Sequence, residues 1–425
     1  MAERFQTLRG FRDILPGETE HWQRFEEGAR RILRRYGFRE IRVPHLERTD
    51  LFARTVGEAT DIVGKEMFTF EVSGEWVSLR PELTAQVCRA YVQHGLDRAG
   101  LNRLYYIGPA FRKERPQKGR QRQFHQVGIE VFGESAPETD VEVIAAGMEM
   151  VSGIGVAKPR LLINSIGDGE SRPAYRKALI EALEPVEERL CGDCRERLRR
   201  NPLRVLDCKV ERCRELTGQA PKMIDFLSEA AREHFERVRE GLAGLEIEAE
   251  VDHRLVRGLD YYVMTTFEVR AEGLGAQDTI LGGGRYDGLV GQLGGRDVPG
   301  MGWAAGIERL LMAAGKEGEK APGDLDLYLV TLGERAREQA LGLVQRLRRE
   351  GLAVGWDTAG HGLGGQMKRA GRSGARFAVL VGDDELQRGA ASIKDLRSGE
   401  QQEGPADPAA LSRWIREHVG DEERG

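Results

Sequence analysis

No stretch of this 425-residue chain approaches the ~18 consecutive apolar residues that a membrane span needs. The opening run MAERFQTLRG lacks the apolar core of a signal peptide, so a cytoplasmic location is the default expectation. Charge of one sign is also missing: 64 Lys and Arg against 69 Asp and Glu leave a net charge of −5. Any contact with nucleic acid must then rely on local basic patches, because no global field draws in a polyanion. Cysteine is scarce, five in all, and four of the five fall between Cys191 and Cys213. What is present is ordinary for a globular chain: 40% hydrophobic residues, enough for buried cores, and 31% charged residues for a solvated surface. The length favours two or three domains over one.

The organising stretch is Tyr105–Gly133, YYIGPAFRKERPQKGRQRQFHQVGIEVFG. Apolar runs at Leu104–Phe111 and Phe124–Phe132 flank a polar segment, which reads as two antiparallel strands joined by a long exposed loop. Between Arg112 and Arg122 there are six Lys or Arg against the single acid Glu114. Such a loop suits a polyanion, and Arg112 at the strand end is placed to grip a phosphate with both arms of its guanidinium. A solvated hairpin tip is the competing reading. The strand period puts Phe124, Gln126 and Glu130 on one sheet face, with His125 and Val127 on the other. An inward-facing carboxylate and amide need polar partners, which favours a ligand site.

The string FRKERPQKGRQRQFHQ resembles motif 2 of the class II aminoacyl-tRNA synthetases, in the form found in histidyl-tRNA synthetases. The rest of the chain repeats the likeness in order. An apolar stripe over residues 18–36, a strand over Phe38–Val43 and then Pro44 resemble motif 1, which in that family builds a dimer interface. LRPELTA resembles the amino-acid-binding segment, with Leu83 where Gly is commoner; a capping role for Glu82 competes with substrate binding. The expected helix there runs from Pro81 to about His94. LVRGLDYY at Leu255–Tyr262 and ILGGGRYDGLVGQLGG at Ile280–Gly295 resemble the two signatures of histidyl enzymes, and GMGWAAGIERLL at Gly300–Leu311 resembles motif 3. For Arg309 in that last string, a surface ion pair with Glu308 at a strand–helix junction is the competing reading.

The resemblance implies an α+β architecture: a class II antiparallel sheet flanked by helices over residues 1–320, with a helical insertion at 168–244, followed by an α/β anticodon-binding domain over 325–425. It implies ligation of histidine to tRNA-His with ATP as substrate, Mg²⁺ on the phosphates, a homodimer and no membrane partner. Carried over by position, Glu82, Leu83, Thr84 and Gln126 surround the α-ammonium, while Glu130, Tyr261, Tyr262 and Tyr286 line the imidazole pocket. Arg112, Arg257 and Arg309 take the catalytic role on carboxylate and phosphates, Arg120 joins Arg112 and Arg309 at ATP, and Gln117 approaches the tRNA end. A histidine-sensing, non-catalytic regulatory relative of ATP phosphoribosyltransferase is the main alternative. It usually lacks the C-terminal domain and degrades the arginines kept here. A class II synthetase for another amino acid is the second.

The resemblance implies no metal ligand set for the chemistry. Cys191, Cys194, Cys208 and Cys213 are open to two readings, a structural zinc knuckle or reduced, half-buried thiols. Residues 315–324, GKEGEKAPGD, read as a linker, and beyond it strands alternating with helices indicate a mainly parallel sheet. Lys368, Arg369, Arg372 and Arg376 are expected to give that domain local positive charge, the glycine-rich Gly360–Gln366 to be mobile, and the final DEERG to fray.

Overall fold

The structure is a computed structural model that describes residues 5–57, 60, 62–117, 119–274, 278–316 and 325–418. Most of the 315–324 linker and the DEERG tail lie outside the described residues. The chain divides into two compact units, residues 1–15 with 21–319 and residues 16–20 with 320–425.

In the larger unit the strands are β1 Arg39–Glu40, β2 Leu46–Arg48, β3 Thr69–Val72, β4 Glu75–Leu79, β5 Arg103–Phe111, β6 Gln123–Phe132, β7 Arg160–Ser165, β8 Ala249–Val251, β9 Val263–Arg270, β10 Thr279–Arg285 and β11 Gly300–Gly306. Eight of them form one sheet in the order β1-β5-β6-β11-β10-β9-β7-β8, antiparallel except at its two edge pairs. A small sheet β2-β4-β3 stands apart, its hairpin turning at Ser73-Gly74, where both residues have positive φ.

Each face of the large sheet is covered because its strands are apolar on both sides. On one face Val127, Ile129 and Val131 of β6 meet Trp22, Phe25, Ile32 and Leu33 of the helix Thr19–Arg35, and Ile144 and Met150 of the helix Pro137–Gly153. On the other face Leu104 and Tyr106 of β5 pack with Leu83, Val87 and Tyr91 from the helix Thr84–Gln93 and the turn before it. This second layer is incomplete, and the gap in it is the cavity described below. Between β7 and β8 lie short helices with their own small core, which includes Tyr175, Leu179, Cys194 and Cys213. The last helix of that segment, Glu229–Gly244, instead sends Phe235, Val238 and Leu242 into the main core.

In the smaller unit β12 Leu327–Leu332, β13 Val354–Trp356, β14 Phe377–Gly382, β15 Ala390–Asp395 and β16 Gln401–Pro405 form a sheet ordered β13-β12-β14-β15-β16. The expectation of a mainly parallel sheet needs correcting, because β15 and β16 run antiparallel. Strand β16, QQEGP, has no apolar alternation to announce it and is held by its ladder to β15. The glycine-rich stretch is also more ordered than expected. A helix starts at Leu363, and the buried Gln366 donates to the carbonyls of Thr331 and His361 and accepts from the Thr331 N–H.

Candidate active site

A cavity of about 1000 Å³ opens over the second face of the large sheet, lined by β6, β9, β10, β11 and the turn before the helix Thr84–Gln93. Strand β6 supplies Phe124, Gln126 and Glu130, as its period requires. Its other face sends His125 to the Glu308 carboxylate, 2.9 Å from Nδ1, and against the edge of Trp22. Two glycines make room for the charged groups. A Cβ at Gly302 of β11 would collide with the Glu130 carboxylate, and one at Gly282 of β10 with the Arg257 guanidinium.

The acidic part of the site is held under strain of solvation. Glu130 is 1% exposed; the Tyr286 hydroxyl donates to its Oε2, while Oε1 has no hydrogen-bond partner. Burial pushes its carboxyl up to about 8, against the Tyr286 and Thr84 hydroxyls and with help from the charge of nearby Glu82. Burial raises Glu82 as well, although its carboxylate accepts the backbone N–H groups of Thr84 at 2.6 Å and Ala85 at 2.9 Å. The Tyr106 hydroxyl and Gln126 Oε1 are likewise buried without a partner. Unpaired buried polar atoms are costly, so the Gln126 and Glu130 oxygens on the cavity wall, with the Tyr106 hydroxyl in the core behind them, mark a surface shaped for a polar ligand.

The basic part is built differently. Burial works against the Arg257 charge, but Glu268 beside it outweighs that and holds it protonated. Arg112 donates from Nε to the Pro81 carbonyl at 2.9 Å and lies over the Phe124 ring at 5.2 Å. Arg309 donates to the Thr279 carbonyl at 2.9 Å; burial and the neighbouring Arg120 both lower its pKa. Glu114, which accepts from Arg120 at 2.7 Å, and Asp278 offset only part of that repulsion, so further negative charge is favoured there. The cavity thus suits a ligand that carries both cationic and anionic groups.

A sequence model of the histidyl-tRNA synthetase family matches residues 10–310, and one of the anticodon binding domain matches residues 326–417. The chain belongs to the histidyl-tRNA synthetase family. It is 48% identical over 426 residues to a histidine–tRNA ligase of Geobacillus kaustophilus, covering 99% of this chain and 100% of that one. It is 50% identical to a Synechococcus histidine–tRNA ligase over 403 residues, 94% of this chain and 96% of the other. The apo histidyl-tRNA synthetase of S. aureus superposes with a TM-score of 0.80 at 37% identity, covering 97% of this chain and all of that one. A Bacillus halodurans structure titled as an ATP phosphoribosyltransferase regulatory subunit/histidyl-tRNA synthetase matches at 0.66 and 21% identity, which supports the shared fold alone.

Set against the histidyl-tRNA synthetase signatures, most of the expected residues gather at the cavity: Glu82, Thr84, Arg112, Arg120, Gln126, Glu130, Arg257, Tyr261, Tyr262, Tyr286 and Arg309 all line it. Two do not. Leu83 is 2% exposed in the apolar core behind the site, and Gln117 sits exposed on the β5–β6 loop, its N–H bonded to the Arg120 carbonyl. The expected helix from Pro81 starts at Thr84 after Leu83 at the N-cap, and Glu82 in the turn before it accepts the first two helical N–H groups. Glu308 forms no surface pair with Arg309; it holds His125. Arg376 is paired with Asp395 at 2.8 Å and half-buried, so it adds little positive surface to the smaller unit. Sequence reasoning missed Tyr106 and Glu268. The first was within reach, since it pairs with Gly128 on the Gln126–Glu130 face; the second has no local signal, because its partner Arg257 precedes β9.

Proposed function

We propose that this cavity activates L-histidine with ATP and then transfers the histidyl group to the 3′ end of tRNA-His. Ligation of histidine to tRNA is the reaction of the family; the residue roles are our reading of the geometry. In the first step a histidine carboxylate oxygen attacks the α-phosphorus of ATP, and the bond to the bridging oxygen of pyrophosphate breaks. In the second, a ribose hydroxyl of the tRNA displaces AMP from the adenylate. No protein nucleophile is needed, so catalysis is positioning and charge stabilisation.

Glu82, Thr84 and Gln126 hold the α-ammonium, and Glu130 with Tyr261, Tyr262 and Tyr286 receives the imidazole. Arg257 takes the carboxylate and the charge that builds on the α-phosphate, worth roughly 100- to 1000-fold in rate for a preorganised donor. Arg112 and Arg120 take phosphates, with Arg309 placed for the far end of the triphosphate. Glu114 and Asp278 line the same cavity, Glu114 paired with Arg120 at 2.7 Å and Asp278 with Arg270 at 3.6 Å; once ATP draws those guanidinium groups to its phosphates, the carboxylate oxygens would hold the accompanying Mg²⁺. That ion would neutralise part of the phosphate charge when bound. Gln117, on the exposed loop, remains available to the tRNA end.

The observation that carries this reading is the buried Glu130 carboxyl with an unpaired oxygen. A ligand without an N–H opposite leaves it unsatisfied, which rejects side chains that lack one. Histidine-dependent ATP–pyrophosphate exchange tests the reading: exchange with histidine and with none of the other amino acids is expected. Exchange driven by another amino acid, or by none, would refute it. We also infer a cytoplasmic homodimer. Exposed Leu46, Phe70, Val72 and Trp76 on the small sheet support a partner surface, and light scattering that finds a monomer would contradict it. Among the described residues no helix is long and apolar enough to cross a membrane.

A further inference from the structure

The ligase chemistry leaves one group of reactive side chains without a task. Cys191 stands at the start of the helix Gly192–Arg200, Cys194 lies in its first turn, Cys208 follows the turn Pro202–Val205, and Cys213 lies in the helix Glu211–Leu216. Separated by as many as 22 residues, their four Sγ atoms nevertheless lie within 4.8 Å of one another. Cys191 and Cys208 are 3.9 Å apart, far beyond the ~2.05 Å of a disulfide, and all four are free thiols. Four thiolates around a zinc ion, with Zn–S of ~2.3 Å, give a tetrahedron whose edges are about 3.8 Å. The cluster already has nearly that size. Thiols that merely fill an apolar core have no reason to point their sulfurs at one spot.

We propose that Cys191, Cys194, Cys208 and Cys213 hold one structural zinc ion. Three of the four are buried and the fourth is half-buried, with Cys191 and Cys208 at the edge of the large cavity. Four protein ligands leave no open position for water, and the ion takes no part in the ligation. The backbone N–H of Cys191 donates to the Cys213 sulfur at 3.2 Å, the kind of outer hydrogen bond that steadies a metal-bound thiolate. Soft sulfur ligands in tetrahedral array select zinc over the hard cations that suit ATP.

The ion would also brace the wall that carries Arg257. Arg204, between the second and third cysteines, donates to the Arg257 carbonyl at 3.0 Å. Arg254 donates to the Arg214 carbonyl at 3.1 Å and to the Thr217 hydroxyl at 2.7 Å, just beyond Cys213. Zinc therefore fixes the segment to which the strand-entry loop bearing Arg257 is bonded. This bracing role rests on the function proposed above; the metal site does not.

The test begins with the full chain purified without chelators from zinc-containing medium. Elemental analysis is expected to find one zinc per chain, released in step with titration of the thiols by a mercurial. Replacement by cobalt is expected to produce the intense visible bands and sulfur-to-metal charge transfer of a tetrahedral tetrathiolate. The double variant Cys191→Ser/Cys194→Ser should lose the metal, and Cys88→Ala, whose thiol lies outside the cluster, should keep it. Because loss of two ligands also threatens the fold of the insertion, the wild-type protein decides the matter. No zinc as purified, and no cobalt spectrum after reconstitution of the reduced protein, would overturn the site. For the bracing role, zinc removal is expected to lower the melting temperature and the exchange rate together, both restored by zinc. An unchanged exchange rate in the stripped, folded protein would overturn that role and leave the metal site and the ligase reading standing.

Discussion

Asp140 in the helix Pro137–Gly153 and Glu130 on β6 are both buried carboxyl groups at no more than 1% exposure, and their surroundings treat them in opposite ways. Asp140 accepts from the Arg285 Nε at 3.1 Å and faces the His234 ring nitrogen at 2.8 Å. Burial alone would push its pKa up, but the His234 hydrogen bond and the Arg285 charge outweigh it and hold the group below the usual carboxylate range. Arg285 spends its other donors on the carbonyls of Glu134 and Ala136 and on the Asp287 carboxylate at 3.3 Å, so the cluster is satisfied. It joins the helix Pro137–Gly153, the helix Glu229–Gly244 and β10. Glu130 has the same burial and no cation, and its pKa rises to about 8. Asp140 is paired within the chain as a charge, whereas Glu130 is left a partly unpaired carboxyl, as the proposed ligand site requires.

The strongest challenge to this contrast is Asp140→Ala. It leaves the buried Arg285 with Asp287, at 3.3 Å, as its remaining carboxylate partner, and a loss of about 3 kcal/mol in denaturant unfolding is expected. A loss no larger than that of an average surface substitution would show that the cluster is not needed for the fold. Glu130→Gln should act in the other direction. With the folded pKa near 8 and the unfolded value near 4.5, the unfolded chain ionises first, so Glu130 lowers stability increasingly as pH rises from 4.5 to 8. The amide variant should match the wild type near pH 4 and exceed it by roughly 4 kcal/mol near pH 8. A pH-independent difference would mean that Glu130 ionises as freely in the fold as in the open chain. Phe124→Ala removes the ring beneath Arg112, and the cation–π contact is worth about 0.5–1 kcal/mol. The KM for ATP should rise a few-fold with kcat nearly kept; a collapse of kcat would give Phe124 a larger part than a platform.

Much of this site can be read from the chain alone where neighbours in sequence are neighbours in space. The β5–β6 hairpin follows from two apolar runs about a polar loop, and strand period alone separates Gln126 and Glu130 from His125 and Val127. The arginines are another matter. Arg112, Arg257 and Arg309 lie far apart in the sequence, and nothing local shows that they share a cavity; only the family resemblance brought them together. Local reading failed where a distant partner decides the outcome. Arg376 looked like surface charge until Asp395 appeared beside it, and Glu308 looked like a partner for Arg309 until His125 took it. Strand β16 is invisible in QQEGP because β15, and no side-chain pattern, holds it in place.

The most direct measurement is histidine-dependent ATP–pyrophosphate exchange by Glu130→Ala, alongside its circular dichroism and melting temperature. A folded protein of undiminished stability whose kcat/KM for histidine falls roughly 100-fold or more is the expected result. Exchange close to that of the wild type would contradict the account, since the buried carboxyl with one oxygen unpaired would then have no imidazole to meet.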